Sequence, residues 1–546
     1  MEAILRTVSR NTGVTVGIIL LVAVGIAYTT ILGMSPEAQE ELLYTVQDFL
    51  PIFMFLTLAT LLFSGFPVAF ILGGIAFLFG LIGYFLDVFS LIEFFNFMPR
   101  IWFQGAENLV LVAIPAFVFM GVMMERGGIA EDLLYCVQVL LKGVAGSLAL
   151  AVTIMGTILA AMTGIIGASV TMMTAMALPT MMRQGYSHSL SCGVIAASGT
   201  LGILIPPSIM LIIMADLMAV SVGSMFMAAL MPGLVLATLY LIFVAAYARI
   251  RPEVAPPLPP ELLNVPKGTL LRGFSGKMIA CGLAAVAVAI AGWTGVISTV
   301  LAAWLSVGFG FPAIFLFAGP LIRKAFLPPV VLIGMIKGSI LFGVATPSEA
   351  GAVGAFGVLI LTLFAGRLNF KVLQGVCHSA ARTIAMIFFI IISATCFAYV
   401  YRSLGGDDIV EYLVFSAGVD SWGLLILLMV MTFFLGFFLD FIEITLIVLP
   451  VFAPLVASMD FGDHIAKADI IYWFLILMAI NLQTSFLTPP FGFALFYLKG
   501  IAPKEIKIQS IYKGIIPFVL LQLLGLILVM WKPNIALWLM HVAYDG

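Results

Sequence analysis

The chain has 546 residues, of which 63% are hydrophobic and 9% charged, with a formal net charge of −2. A soluble domain carries roughly 25% charged residues, so this composition excludes a soluble globular protein and points to a chain that crosses the membrane many times. The near-neutral balance and the lack of a basic arm argue against nucleic acid as a partner. Cys136, Cys192, Cys281, Cys377 and Cys396 show no Cys-x-x-Cys spacing, and His188, His378, His464 and His541 are scattered. Neither a disulfide framework nor a histidine metal site is expected.

Arg6 and Arg10 precede an apolar run at 14–32, long enough for one span. A basic-then-apolar start also fits a signal peptide, but only Gly33-Met-Ser-Pro36 stands where a cleavage site would be. A retained span with its N-terminus inside is the preferred reading. Residues 37–48 carry Glu37, Glu40, Glu41 and Asp48 and read as an external loop. Residues 51–84 are apolar and broken at Gly65-Phe-Pro67, which predicts two short hinged helices. The next span, 109–124, ends at Glu125-Arg-Gly-Gly128. Residues 146–182 are broken at Thr163-Gly-Ile-Ile-Gly-Ala-Ser169 and flanked by Lys142 and Arg183. Basic flanks on both sides suggest a re-entrant hairpin that opens to the cytoplasm. A broken span follows at 190–214, interrupted between Gly199 and Pro207, and then a span at 222–248.

Residues 249–277 hold five basic residues and Pro252, Pro256, Pro257, Pro259, Pro260 and Pro266. They read as a stiff cytoplasmic linker. Spans at 278–297 and 299–322 lead to Arg323-Lys324. The first plan then repeats. Residues 328–366 form a pair broken at Thr346-Pro347, and 383–404 a span ending at Leu404-Gly-Gly-Asp-Asp408. Residues 422–459 form a hairpin with Asp440 near its tip and acidic flanks, which should open outward. A second Pro-Pro broken span covers 470–498, and 514–531 is the last long span.

The expected fold is all-α and polytopic, an inverted-topology repeat with two re-entrant hairpins and two Pro-Pro broken helices. Its parts are an extra N-terminal span with an acidic external loop (1–50), a first repeat (51–248), the linker (249–277), additional spans (278–327) and a second repeat (328–546). Counting crossings from an inside N-terminus puts the basic clusters in the cytoplasm and the acidic ones outside. Inverted repeats with broken helices are a signature of secondary transporters, with the site at the repeat interface.

A hairpin tip at membrane depth leaves helix-end carbonyls and amides without partners. At the first tip Gly164, Gly167, Ala168 and Ser169 let the backbone approach an ion, and Thr163 and Ser169 add hydroxyl oxygens. Such oxygen ligands suit a hard cation such as sodium. The alternative is close helix packing through small residues, which a single break would favour and four breaks do not. Each Pro-Pro pair, after Gly199-Thr-Leu-Gly202 or Ser485-Phe-Leu-Thr488, should unwind a segment and aim a helix N-terminus at an anion. Ser198, Gly199, Thr200 and Ser485, at the ends of the preceding half-helices, are the candidate substrate contacts. Asp440 can serve the ion, cap the following half-helix, or do both. Glu443 reads as lying near the outer water layer. Glu349 lies in Thr346-Pro-Ser-Glu349, better read as a capping box than as a functional acid.

At these residues the chain resembles the large membrane subunit of tripartite ATP-independent periplasmic (TRAP) transporters, within the wider ion-transporter superfamily. The matching stretches are Ile114-Pro-Ala-Phe117 with Glu125-Arg-Gly-Gly128, Thr163-Gly-Ile-Ile-Gly-Ala-Ser-Val170, Ala196-Ala-Ser-Gly-Thr-Leu-Gly-Ile-Leu-Ile-Pro-Pro-Ser208, Ala345-Thr-Pro-Ser-Glu-Ala350 and Leu487-Thr-Pro-Pro-Phe-Gly492. The resemblance implies sodium-coupled uptake of a small organic acid, such as a dicarboxylate, across the bacterial inner membrane by an elevator motion. It implies no cofactor beyond the coupling ion Na+. It also implies two protein partners, a small four-helix membrane subunit and a periplasmic substrate-binding protein. The 14–32 span is too little to be a fused small subunit, so a separate chain is expected. By the same match, one sodium lies near Thr163, Gly164, Gly202, Leu204 and Pro207, with Ser169 a secondary candidate. The other lies near Phe438, Asp440, Thr488 and Phe491. Many family members carry Ser-Gly-Ser at the first tip, where this chain has Thr163-Gly-Ile165.

A stand-alone ion-coupled carboxylate transporter or antiporter of the same superfamily is the alternative. A membrane-embedded enzyme would need a metal triad, a Ser/Lys dyad or paired acids on facing helices, and none stands out. A channel fits poorly with two hairpins that open to opposite sides.

Overall fold

The structure is a computed structural model that describes residues 35–257 and 318–544, apart from single positions within them (63, 65, 143, 165, 342, 417, 490 and 491). The expected first span, most of the proline-rich linker and the spans at 278–317 lie outside the described residues. The helices are α1 Pro36–Leu62, α2 Val68–Phe85, α3 Leu91–Phe95, α4 Phe97–Ile101, α5 Ala113–Arg126 and α6 Ile129–Leu140. They continue as α7 Ser147–Thr163, α8 Ile166–Arg183, α9 His188–Thr200, α10 Ile209–Leu217 and α11 Val222–Ile250. Then come α12 Leu327–Leu341, α13 Pro347–Phe364, α14 Phe370–Ser403, α15 Gly406–Ser416, α16 Ser421–Leu435 and α17 Phe441–Ser458. The last are α18 Ile470–Ser485, α19 Phe493–Ile501, α20 Ile508–Trp531 and α21 Asn534–Tyr544.

Among the described residues, seven helices are long and apolar enough to cross a membrane, and α5 with α6 forms a further pair bent by 64° at Gly127-Gly128. The hairpin helices are shorter. Seventeen residues in α7 and fifteen in α16 reach about 26 Å and 23 Å at 1.5 Å per residue, less than the ~30 Å hydrocarbon core.

By internal packing the chain divides into two units. The smaller holds described residues 35–98 with 396–410. There α1 packs on α2, and Phe94 fills the space left by Gly80, where a Cβ would meet its ring at 2.0 Å. Ser90 and Glu93 form a capping box at the start of α3, and backbone and hydroxyl hydrogen bonds from Ser90 hold the exposed Glu93 carboxyl below its ordinary value. Two corrections fall in this unit. Residues 37–48 are not a loop but the first turns of α1, which runs on through Pro51. Its opening is typical of a helix, with Pro36 at the first position and Glu37 in the first turn. Helix α3, bearing exposed Leu91, Ile92 and Phe95, was not anticipated by the sequence reading.

The larger unit holds 99–395 with 411–546 and carries the interior. In chain order it contains a hairpin (α7/α8), a broken helix (α9/α10) and a long helix (α11). Later the order recurs as a hairpin (α16/α17), a broken helix (α18/α19) and a long helix (α20). Helix α9 crosses α20 with backbone in contact. A Cβ on Gly514 would lie 2.0 Å from the Ser189 carbonyl oxygen, and one on Gly193 2.1 Å from that of Gly514. Only small residues allow two helices to approach so closely within the membrane. The terminal helix α21, absent from the sequence reading, packs along α11.

Candidate functional site

The first hairpin turns at Gly164, whose φ of +58° suits glycine and ends α7 in the left-handed conformation. The tip rests on the first break. A Cβ on Gly164 would stand 3.1 Å from the Ile209 amide nitrogen and 3.4 Å from the Pro207 carbonyl oxygen. The break itself begins where α9 tightens at Leu201–Ile203, passes through a cis Pro206-Pro207 bond and resumes as α10. Ser208 occupies the N-cap of α10 but does not cap it, because its hydroxyl donates to the Ile203 carbonyl at 2.6 Å. The first amides of α10 therefore lack a side-chain cap beside the hairpin tip.

The sequence-derived residues of this half separate. Gly164, Gly202, Leu204 and Pro207 are all buried in the tip and break. Ser169 is fully buried on α8, one turn beyond the tip. Ser198 and Gly199 face the hairpin instead. A Cβ on Gly156 of α7 would meet the Ser198 Cβ at 2.5 Å, and one on Gly199 would meet the Val170 Cγ2 at 2.4 Å. Both are packing contacts of α9. The Thr200 hydroxyl donates to the Ala197 carbonyl at 2.9 Å and points toward the second half of the chain.

At the second hairpin α16 ends at Leu435, and the chain turns through Gly436–Leu439 to Asp440. The Asp440 carboxylate accepts from the Phe441 amide at 2.8 Å, and Glu443 accepts from the Asp440 amide at 3.0 Å. The pair is a capping box, so Glu443 has a role at the tip that its sequence position did not suggest. This tip meets the end of α18, since a Cβ on Gly436 would fall 1.9 Å from the Ser485 Oγ. Phe441 packs on Phe486, and Phe486 on Phe493 across the break, with ring centroids 6.3 and 6.0 Å apart. Asn481 fastens the hairpin by donating to Thr432 Oγ1 at 2.8 Å and the Met429 carbonyl at 2.7 Å. The Ser485 and Thr488 hydroxyls donate back to the Leu482 and Thr484 carbonyls of α18, each at 2.8 Å. Phe438 is 45% exposed at the tip, while Phe491 lies outside the described residues. Helix α19, like α10, starts without a side-chain cap.

The two tip-and-break pairs belong to one packed body. Helix α10 touches α17 and α18, and α8 touches α19, where Tyr497 covers Gly167. Asn481, Gln483 and Ser208 went unassigned in the sequence reading. The available signal was an amide or hydroxyl inside an otherwise apolar run. Among the described residues no cluster of His, Cys, Asp and Glu could hold a metal ion.

The family model for the DctM component of tripartite ATP-independent periplasmic transporters matches residues 55–535. The chain belongs to that family. It is 27% identical over 436 residues to the C4-dicarboxylate TRAP transporter large permease protein DctM of Pseudomonas aeruginosa, covering 80% of this chain and 87% of that one. It is 28% identical to the 2,3-diketo-L-gulonate TRAP transporter large permease protein YiaN of Escherichia coli, covering 83% and 90%. The ectoine TRAP transporter large permease protein TeaC of Halomonas elongata is 26% identical, covering 90% and 99%. A solved structure, the Alcanivorax borkumensis YdaH transporter, superposes with a TM-score of 0.50 at 13% identity, over 83% of this chain and 90% of that one. This large TRAP permease therefore shares a helical membrane-transporter fold with YdaH and is a multi-pass membrane protein.

Proposed function

We propose that this permease drives sodium-coupled import of a small organic anion across the bacterial inner membrane. The anion is delivered by a periplasmic binding protein, and a small four-helix membrane subunit assembles with the permease. The observation that carries this reading is the pairing of each hairpin tip with the end of a broken helix whose resuming half lacks a side-chain cap. Uncapped amides at helix N-termini favour an anion. Backbone carbonyls at the unwound ends favour a hard cation. One sodium is proposed at Gly164, Gly202, Leu204 and Pro207, with Thr163 and Ser169 close in sequence. The second is proposed at Phe438, Asp440, Thr488 and Phe491. The anion lies between the two, near Thr200 and Ser485. Because both pairs share one packed body, they move together against the remaining helices in an elevator stroke. Relatives named for C4-dicarboxylate, 2,3-diketo-L-gulonate and ectoine suggest a small polar organic substrate, and a dicarboxylate is the first candidate.

The test is uptake into proteoliposomes that hold the permease with its small subunit and binding protein. Labelled C4-dicarboxylates and other small organic acids are supplied with and without an inward sodium gradient. Uptake should need both sodium and the binding protein, and Thr488→Ala should raise the sodium concentration for half-maximal uptake. Full transport by the permease alone, or uptake indifferent to sodium, would overturn the reading.

A further inference from the structure

Four polar side chains from the two halves of the chain meet in the interior of the larger unit. They are Thr200 at the end of α9, Tyr240 on α11, Gln483 on α18 and Gln522 on α20, and each is 0% exposed. The Gln483 amide nitrogen donates to Thr200 Oγ1 at 3.5 Å and to the Tyr240 hydroxyl at 3.4 Å. The Gln522 amide nitrogen donates to the same Thr200 Oγ1 at 3.5 Å. The amide oxygens of both glutamines have no hydrogen-bond partner. Phe518 closes one side of the knot, edge-on to the Tyr240 ring at 5.3 Å.

A count of donors shows what is missing. The two amides bring two acceptor oxygens. The Thr200 hydroxyl has already given its hydrogen to the Ala197 carbonyl. With the amide nitrogens turned to Thr200 and Tyr240, neither amide oxygen has an amide N–H within reach, and the one hydroxyl hydrogen of Tyr240 can serve one of them at most. Within the quartet at least one buried oxygen is left without a donor, at a cost of about 1–3 kcal/mol if nothing supplies one. The spacings also run long. Direct N–H···O bonds centre between about 2.7 and 3.2 Å, and contacts at the far end of the range are where a bridging water belongs.

We propose that a buried water completes this knot by donating to the glutamine amide oxygens, and that Gln483 and Gln522 are positioning residues that lock the two breaks together. Thr200 immediately precedes the tightened turn of the first break, and Gln483 is two residues ahead of Ser485 at the second. A shift of either glutamine therefore reaches both breaks. This coupling role rests on the reading of the breaks as sodium sites, whereas the water does not.

The test uses the complete transporter carrying Gln483→Met, Gln522→Met and both together, since methionine keeps the length and removes the amide. Each single variant removes an amide contact to Thr200 and takes one partner from the proposed water that serves the other amide oxygen, so it should unfold at lower temperature than wild type. The double variant removes both orphan oxygens and should recover much of that loss. It should nevertheless raise the sodium concentration for half-maximal uptake by about tenfold and flatten the sodium curve toward a Hill coefficient of one, with KM for the organic anion little changed. A high-resolution cryo-EM map of the wild-type complex should show ordered density between the two amides. A double variant with a wild-type sodium curve would overturn the positioning role. A map in which protein donors satisfy both oxygens and no density lies between them would overturn the water. If the wild type itself ignores sodium, the failure belongs to the proposed function, and the map still decides the water.

Discussion

At the first tip the chain turns on Gly164 at φ +58°, next to backbone atoms of Pro207 and Ile209. At the second it turns through Gly436–Leu439 and closes on Asp440 and Glu443 in a capping box. The first tip is built from backbone, the second from carboxylates and a cluster of phenylalanines, Phe434, Phe437 and Phe438, with Phe441 against Phe486. A cation at the first tip must therefore find carbonyl oxygens. A cation at the second must share a carboxylate that already holds the end of a helix. For the two proposed sodium ions the same chain order thus offers two different sets of ligands, and substitutions at each tip should fail for different reasons.

The largest effect is expected at Gly436. Its backbone is ordinary helix-end geometry, so the obstacle to a side chain is space and not strain. A Cβ there would lie 1.9 Å from Ser485 Oγ and 2.6 Å from its Cβ. Gly436→Ala should destabilise by about 1–3 kcal/mol, the usual range for overpacking, and abolish uptake. Adding Ser485→Gly should restore most of the thermal stability in detergent, because the clash is with that side chain. No rescue would mean that the second tip is held by something other than this contact.

Gly164 should behave differently, since it adds strain to crowding. Gly164→Ala places a Cβ in the left-handed region at about 1–2 kcal/mol, while Gly164→Asn tolerates that conformation better. Asn should therefore be the more stable of the two by thermal unfolding. Both should lose uptake, because any Cβ approaches the Ile209 amide at 3.1 Å and backbone cannot be trimmed to make room. Retained transport by Gly164→Asn would show that the tip does not need that close approach.

Much of this architecture was legible in the sequence because glycine and proline break helices wherever they occur. The hairpin expected at 146–182 runs from Ser147 to Arg183, and the capping box expected at Thr346 and Glu349 is present, with the Thr346 amide donating to Glu349 at 2.8 Å. Charge misled at 37–48, because acids that look like a loop also stabilise the first turns of a helix. Helix phase separates Ser198, Gly199 and Thr200, which the sequence groups as candidate substrate contacts. At about 100° per residue, three consecutive helical positions cannot face one cavity. They point instead to α7, to α8 and to the glutamine knot. That knot joins residues up to 322 positions apart. No local pattern pairs Thr200 with Gln522; the fold does.

The smallest expected effects come from the second hairpin, which carries an acidic cap at each end. Asp440 caps α17 at the tip, and Asp420 caps α16 at the mouth by accepting from the Gly423 amide at 2.8 Å. Asparagine caps about as well as aspartate, whereas alanine typically loses about 1 kcal/mol. Asp440→Asn should therefore keep its melting temperature while weakening sodium-dependent uptake, and Asp440→Ala should lose both. Asp420→Ala should lower stability by about as much as Asp440→Ala but leave the sodium curve of uptake where it was. The comparison separates capping from ion binding without moving to another helix pair. If Asp440→Asn transports with a wild-type sodium dependence, its charge is not used, and the proposed second sodium would rest on backbone oxygens as the proposed first one does.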